Sequence, residues 1–154
     1  MSEEKHVIFR LGNEIYSMDI EYVKAIEQSY HIIPLPDAPE YIKGMINLRG
    51  EIIPVYSLRS RFHMPEEKKS QENQLLIVKA DMIQLAFEVD AVVGIETIDP
   101  AQKNEVPIVV RGEATSYIGS ILNINEKIAV EISIKNIMSE QEWQDVEQLI
   151  KEHS

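Results

Sequence analysis

Short apolar segments separated by turn-forming pairs are the feature that most constrains how this chain can fold. Gly12-Asn13, Arg49-Gly50 and Asn125-Glu126 each stand between two such segments. Two strand-like segments joined by a pair that tolerates positive φ are typical of a β-hairpin. The pattern therefore predicts a fold made mostly of short antiparallel strands.

A polar stretch divides the predicted strands into two groups. Pro65–Asn73 is the most polar segment in the middle of the chain, and about five strand-like segments lie on each side of it. This spacing favours two small antiparallel barrels over one open sheet. We therefore expect subdomains at approximately residues 6–65 and 74–137, within a single domain of residues 1–154.

The last part of the chain has a different periodicity. Ser139 is followed three residues later by Glu142, which is the pattern of a capping box. Apolar residues then recur at helical spacing: Trp143, Val146, Leu149 and Ile150. We predict an amphipathic helix over approximately residues 139–152, with Trp143 anchoring it on the body of the protein.

Charge and composition exclude several classes of function. The chain has 15 basic and 26 acidic residues, and a formal net charge of -11 opposes binding to nucleic acid or to an anionic membrane. It has no cysteine, which excludes disulfides, cysteine-ligated metals and thiol nucleophiles. No signal peptide is visible, and no apolar run approaches the ~20 residues of a membrane span. We therefore expect a cytoplasmic protein without direct membrane insertion.

No pattern for catalysis or metal binding is visible in the sequence. P-loop, dinucleotide-binding and nucleophile-elbow motifs are missing. The four histidines have no partner at helical spacing and lie in unrelated contexts: His6, His31, His63 and His153. We expect no catalytic residue, no metal site and no cofactor, and we treat each histidine as an ordinary surface or packed residue.

A short basic segment interrupts the acidic chain. Between Lys43 and Phe62, four basic residues and one acidic residue give a local net charge of +3. Such a segment is either a specific contact or a set of solvated cations, and the sequence leaves both open. Arg49 stands at the end of a hairpin, where its side chain can face solvent. Pro54 lies inside a predicted strand, which we expect at an edge or a bulge.

This part of the chain, Tyr41–Arg59, resembles the CheW family pattern, in which Gly-x-x-Asn-Leu-Arg-Gly leads into Pro-Val-x-Asp-Leu-Arg. The likeness continues along most of the chain: Phe9–Met18, Pro34–Pro36 with Pro39, Phe87–Val92, Tyr117–Gly119 and Ile128–Met138. The resemblance implies an all-β fold of two SH3-like five-stranded barrels with a C-terminal helix. It also implies an adaptor without catalysis, which couples the cytoplasmic tip of chemoreceptors to the regulatory domain of the histidine kinase CheA and is recruited to membrane receptor arrays.

Five residues match positions that the family links to receptor or kinase coupling. Gly44, Asn47 and Arg49 belong to the glycine–arginine motif. Val23 and Ile26 match the apolar positions of a strand that borders the receptor-binding groove of the family. The resemblance therefore implies a receptor- or kinase-binding site at these positions.

Two residues depart from the family pattern. Ala25 stands where the family usually has Glu, and Ser57 stands where it usually has Asp. Each change removes a carboxylate near the expected binding surface, and neither residue can form a bidentate pair with arginine. Glu27 or Glu51 is the candidate to replace the missing carboxylate.

Two other functions stay open on sequence alone. The same fold could serve another two-component or motility pathway, which the neighbouring genes would distinguish from chemotaxis. An enzyme whose site assembles from distant residues would show a deep pocket lined by converging titratable groups.

Overall fold

The computed structural model describes residues 4–65, 73–106 and 116–153. Strands dominate these ranges: β1 (Glu4–Leu11), β2 (Glu14–Asp19), β3 (Val23–Glu27), β4 (Ile42–Leu48), β5 (Glu51–Tyr56), β6 (Gln74–Ala80), β7 (Ile83–Val89), β8 (Ala91–Ile98), β9 (Lys103–Asn104), β10 (Ile118–Ile124) and β11 (Lys127–Ile132). The α-helices in the same ranges are α1 (Leu58–Arg61) and α2 (Glu140–His153). The predicted all-β fold with a C-terminal helix is confirmed.

Two of the three predicted hairpin turns have positive φ at both central residues, whereas in Gly12-Asn13 the positive φ, 60°, is that of Gly12. Arg49 and Gly50, between β4 and β5, have φ values of 52° and 89°. Asn125 and Glu126, between β10 and β11, have φ values of 50° and 66°. Positive φ at both central positions gives a turn whose twist matches that of the flanking strands. Each turn therefore helps to set the register of its hairpin.

The strands form two sheets that do not follow the two halves of the sequence. Sheet A has the order β8-β1-β2-β11-β10-β9, and sheet B has the order β3-β6-β7-β5-β4. The predicted subdomain boundaries, 6–65 and 74–137, are not reproduced by the sheets. The physical reason is pairing between strands of the two halves: β2 with β11 and β5 with β7 in parallel, and β1 with β8 and β3 with β6 antiparallel. Residues 66–72 of the predicted linker lie outside the described ranges.

Each sheet curls around a small apolar core of its own. In sheet B, Ala25 of β3 and Leu48 of β4 pack on the same cluster, although β3 and β4 are opposite edges of the sheet. In sheet A, Ile98 of the edge strand β8 shares a cluster with Leu122 of β10. Strands this far apart in a sheet can share a cluster when the sheet is strongly curved, as it is in small barrels.

The largest apolar cluster, the shared core, lies between the two sheets. Sheet A contributes Phe9 and Met18, and sheet B contributes Leu76 and Phe87, all of them fully buried. Val146 of α2 joins the same cluster. Burying a side chain of this size contributes about 1.5–3 kcal/mol, so the shared core holds the sheets and the helix together as one unit.

The start and the packing of α2 match the sequence pattern. The Ser139 Oγ accepts a hydrogen bond from the Glu142 N–H at 3.1 Å, and the Glu142 carboxylate accepts one from the Ser139 N–H at 2.8 Å. Trp143, Leu149 and Ile150 pack against the shared core, which confirms the anchoring role of Trp143. None of the helices in the described ranges is both long and apolar enough to cross a membrane.

Pro54 lies in β5, which has a neighbour on each side in sheet B, and it stands beside the register shift between Ile42 and Gly44 of β4, in agreement with the expected edge or bulge position. Its partner across the hairpin is Met45, whose backbone N–H and C=O both bond to Ile33. Met45 and Pro54 are therefore a pair without mutual hydrogen bonds. On its other side, β5 pairs with β7 from Val55 onward. The N–H that Pro54 lacks consequently breaks no hydrogen bond of the ladder.

Candidate functional site

The hairpin between β4 and β5 carries two of the predicted site residues at its tip. The Asn47 Oδ1 accepts a hydrogen bond from the Gly50 N–H at 3.0 Å, which closes the turn. The Arg49 side chain is 76% exposed, and its Nη2 lies 3.5 Å from the Glu27 Oε1. An exposed ion pair typically contributes about 0.2–1 kcal/mol. The guanidinium is therefore available to a partner at little cost.

Gly44 is buried and presents no surface for binding. A Cβ at this position would collide with the backbone carbonyl of Ile33. The close approach allows Ile33 and Met45 to exchange two backbone hydrogen bonds, of 2.7 and 2.9 Å, which cover part of the β4 edge. Gly44 therefore positions the segment around Ile33 against β4. Its role in receptor or kinase coupling stays a prediction, and that role would be exerted through this contact.

Val23 and Ile26 face the same side of β3 because of a β-bulge. Val23 pairs with Val78 of β6, and Ile26 pairs with Leu76, with a register shift between them. Residues two apart on β6 point the same way, so their partners on β3 do too. Val23 packs on the shared core, whereas Ile26 is 38% exposed. Of the two, Ile26 is the surface residue, and it precedes Glu27, which contacts the hairpin tip.

The two departures from the family pattern have different structural consequences. Ser57 is buried, and its Oγ accepts a hydrogen bond from the Ser60 N–H at 3.1 Å as the N-cap of α1. Ser and Asp are about equally good N-caps, so the prediction that Ser57 removes a carboxylate from the binding surface is wrong. Ala25 is half-buried and packs into the core of sheet B. Glu27, two residues along β3, supplies a carboxylate to Arg49.

The basic segment does not form one cationic surface. Three of its four cations pair with carboxylates, at 2.6, 2.6 and 3.8 Å: Lys43 with Glu88, Arg59 with Asp90, and Arg61 with Glu142. The side chains of these three cations are 29%, 10% and 25% exposed, against 76% for Arg49. These three cations are therefore ion-paired within the fold and largely shielded from solvent. Arg49 is the cation of this segment that faces solvent.

Asp90 joins three parts of the molecule through one carboxylate. Its Oδ2 accepts hydrogen bonds from the Arg59 Nη2 at 2.6 Å and from the Gly12 N–H at 2.7 Å. Arg59 also donates to the Pro65 carbonyl at 3.0 Å. The β7–β8 junction, the β1–β2 turn and α1 meet at this point. Sequence reasoning missed this pair, although both of its members stand in segments that carry the family resemblance.

A polar cluster that sequence reasoning also missed lies on sheet A. His6 is fully buried, with its Nδ1 3.0 Å from the Ser17 Oγ and its Nε2 3.0 Å from the Glu4 Oε2. The Lys103 Nζ lies 2.7 Å from Glu4, and Glu131 lies 3.8 Å from both His6 and Lys103. Hydrogen bonds from Lys103 and then from His6 lower the pKa of Glu4. The members come from four strands, so no local motif signals the cluster.

The same cluster has the residue types of a metal site but already holds the ammonium of Lys103. Glu4, His6 and Glu131 hold three possible ligand atoms within 4.8 Å of one another. Burial alone would lower the pKa of Lys103, but the hydrogen bond to Glu4 and the charge of Glu131 outweigh it and raise this pKa. The ammonium therefore stays between the two carboxylates as an internal cation. The arrangement is that of a structural polar network.

A groove of about 1320 Å³ lies between α2 and the β6–β7 turn. The apolar side chains along it include those of Met82, Met138, Trp143 and Ile150, and Met82 is 87% exposed. Charged residues of both signs line it in equal number: Arg61, Lys135 and Lys151 with Asp81, Glu140 and Glu147. The formal charges cancel, so the groove favours no ligand charge.

Comparisons with known proteins point to one family. The sequence model described as "CheW-like domain" matches residues 5–142. The chain is similar to the chemotaxis protein CheW of Treponema pallidum, with 29% identity over 147 residues that cover 93% of this chain and 86% of the relative. It is also similar to the chemotaxis protein CheW of Klebsiella aerogenes, with 26% identity over 150 residues, 97% of this chain and 90% of the relative.

A solved structure has the same fold. The crystal structure of the scaffolding protein TtCheW from Thermoanaerobacter tengcongensis superimposes with a TM-score of 0.78. The sequence identity is 33%, and the match covers 85% of this chain and 89% of that chain. The resemblance expected from Tyr41–Arg59 is confirmed over nearly the whole length, and the chain belongs to the CheW-like domain family.

Proposed function

We propose that this chain is a non-catalytic adaptor that couples the cytoplasmic tips of chemoreceptors to the regulatory domain of the histidine kinase CheA in bacterial chemotaxis. The observation that carries the proposal is the exposed Arg49 on a closed hairpin turn, beside an edge strand that exposes Ile26. A charged donor next to an apolar anchor is typical of protein–protein interfaces. The role needs no cofactor and no catalytic residue.

The hairpin tip is well suited to recognition because its backbone is ordered before a partner arrives. Six residue pairs join β4 to β5, and Ile46 and Ile53 in the hairpin are buried. The Asn47 side chain closes the turn from within. A preorganised site loses little conformational entropy on binding. The planar guanidinium of Arg49 can then donate two parallel hydrogen bonds to a carboxylate of the receptor or the kinase.

Exposed apolar side chains on the edge strands supply the second part of the proposed interface. Ile26 lies on β3, and Val93 and Ile95 on β8 are 61% and 54% exposed. The Val92 N–H donates to the Gln74 side chain at 2.8 Å, so β8 starts beside β6, which is the neighbour of β3. We assign the receptor tip to these edges. Recruitment to membrane receptor arrays then follows from receptor binding, with no need for membrane insertion.

Arg49→Glu tests the proposal. The substitution replaces the guanidinium by a carboxylate, which repels a carboxylate of the partner. We therefore expect at least about tenfold weaker binding to a receptor cytoplasmic fragment or to the CheA regulatory domain. Pull-down and a reconstituted kinase assay measure the effect. Lys127→Glu, at an exposed position of sheet A, makes the same charge change and should leave binding unchanged.

Two outcomes would count against the proposal. A folded Arg49→Glu variant that binds both partners and activates the kinase like the wild type would remove the hairpin tip from the interface. A wild-type chain that binds neither the receptor fragment nor the kinase domain would contradict the adaptor function itself.

A further inference from the structure

The segment that follows β3 joins this strand to the hairpin that carries Arg49. It begins after Glu27, which contacts Arg49 at the hairpin tip. It ends at Ile33, which pairs with Met45 of β4 in antiparallel orientation. Residues 28–33, the closing segment, therefore run along the β4 edge and connect the two edge strands of sheet B. The position of β3 relative to the hairpin tip depends on how this segment is held.

Glu88 of β7 holds the closing segment against β4. Its Oε2 accepts a hydrogen bond from the Tyr30 Oη at 2.5 Å, and its Oε1 accepts one from the Lys43 Nζ at 2.6 Å. Glu88 lies on the same face of β7 as Ala86, which belongs to the core of sheet B, and Tyr30 packs on that core. Burial and then the hydrogen bond to Glu88 raise the pKa of Tyr30, so its hydroxyl stays a donor. One carboxylate thus ties the closing segment to β4.

The two side-chain contacts that connect the β3 side of the sheet with the hairpin differ in exposure. The Arg49 side chain is 76% exposed and lies 3.5 Å from Glu27, so a carboxylate of a partner can replace Glu27. The Glu88 side chain is 10% exposed and lies 2.6 Å from Lys43. Charge-assisted hydrogen bonds of this length are roughly twice as strong as neutral ones. The Glu88 contacts therefore stay in place when Arg49 turns to a partner.

We propose that Glu88 is a positioning residue of the binding surface, which keeps Ile26 and Arg49 in fixed relation so that one partner contacts both at once. The inference rests on the proposed function. Glu88 acts through Tyr30 and Lys43 and does not itself touch the partner. A surface that is ordered before binding loses little conformational entropy when both of its residues are engaged. Loosening the closing segment should therefore weaken binding only while Ile26 and Arg49 are both available.

Tyr30→Phe tests the proposal, because it removes the hydroxyl that binds Glu88 and keeps the ring in the core. Isothermal titration against a receptor cytoplasmic fragment should show about fivefold weaker binding. In a chain that already carries Arg49→Ala, the same substitution should change the affinity by less than about twofold. A general loss of stability would instead weaken binding equally in both backgrounds. Tyr117→Phe, which alters a ring packed on the shared core, is the control and should bind like the wild type.

A second variant and a second measurement separate positioning from folding. Glu88→Gln keeps an acceptor for the Tyr30 hydroxyl but loses the charge that binds Lys43, and its effect on binding should show the same dependence on Arg49. The Ile33 and Met45 N–H groups bond to each other's carbonyls. Their hydrogen exchange should be faster in Tyr30→Phe than in the wild type, whereas exchange in β1 and β2 should not change.

The outcomes distinguish this proposal from the adaptor function. Equal losses of affinity with and without Arg49→Ala would overturn the positioning role, and so would wild-type affinity of Tyr30→Phe or unchanged exchange at Ile33 and Met45. In each of these cases the adaptor function would stand, provided that the wild type binds the fragment and Arg49→Ala weakens that binding. A wild-type chain that does not bind the fragment would overturn both.

Discussion

Replacing Asp90 by alanine should destabilise the fold strongly, because it strands a cation inside the molecule. The carboxylate accepts hydrogen bonds of 2.6 Å from Arg59 and 2.7 Å from the Gly12 N–H. The side chains of Arg59 and Asp90 are 10% and 15% exposed. Removing one member of a buried ion pair costs about 3–5 kcal/mol. Since water reaches part of this pair, we expect the free energy of unfolding to fall by an amount near the lower end of this range, about 3 kcal/mol.

Urea unfolding followed by Trp143 fluorescence measures the loss. With an m-value of about 2 kcal/mol/M, Asp90→Ala should lower the unfolding midpoint by about 1.5 M. Asp145→Ala, at an exposed position of α2, is the control and should change stability by less than about 0.5 kcal/mol.

A double-mutant cycle separates the stranded charge from other effects of the substitution. If the uncompensated guanidinium causes the loss, Arg59→Met combined with Asp90→Ala should cost less than the sum of the two single changes, by about 1 kcal/mol or more. A midpoint shift below about 0.5 M for Asp90→Ala, or strictly additive single changes, would refute the reasoning.

Two further predictions concern packing and pH. Gly44→Ala should lower the free energy of unfolding by about 1–3 kcal/mol, because the added methyl group collides with the Ile33 carbonyl. Gly94→Ala, where a Cβ meets nothing within 4 Å, is the control in the same urea assay. Equal losses of stability in the two variants would contradict the packing role of Gly44. Stability should also fall as the pH rises from about 10, because burial and then nearby carboxylates raise the pKa of Tyr41 to about 12. The folded state favours neutral tyrosine, so this contribution is complete below the ordinary pKa and is lost as the pH rises through the raised one. Tyr41→Phe should flatten this part of the pH profile, and an unchanged slope would contradict the assignment.

Local chemistry made the hairpins predictable, whereas the assembly of the sheets was not. The Arg49-Gly50 turn needs positive φ, a requirement that is visible in two adjacent residues. Parallel pairing of β2 with β11 depends instead on contacts between segments more than a hundred residues apart. Nothing near either strand indicates its partner, so the division at Pro65–Asn73 could not anticipate that each sheet draws on both halves of the chain.

The candidate site was predictable to the extent that its residues act alone. The exposure of Arg49 follows from its place at a hairpin end, and the structure confirms it. The burial of Gly44 depends on the backbone of Ile33, which no motif reveals. The pairing of Arg59 with Asp90 spans 31 positions. A sequence motif shows which residues recur together, but the spatial neighbours decide which of them bind and which hold the fold.

Arg49 and Arg59 show how arginine can serve the stability of the fold at one position and the proposed binding surface at another. The same guanidinium is 10% exposed and 2.6 Å from its carboxylate at Arg59, but 76% exposed and 3.5 Å from its carboxylate at Arg49. Electrostatic attraction is about four times weaker in bulk water than at the effective dielectric constant of about 20 near a protein surface. The Arg59 pair therefore contributes mainly to folding stability, whereas the Arg49 pair contributes little to it. In the interface that we propose, Arg49 exchanges Glu27 for a carboxylate of the partner while the contacts that join the two sheets stay intact.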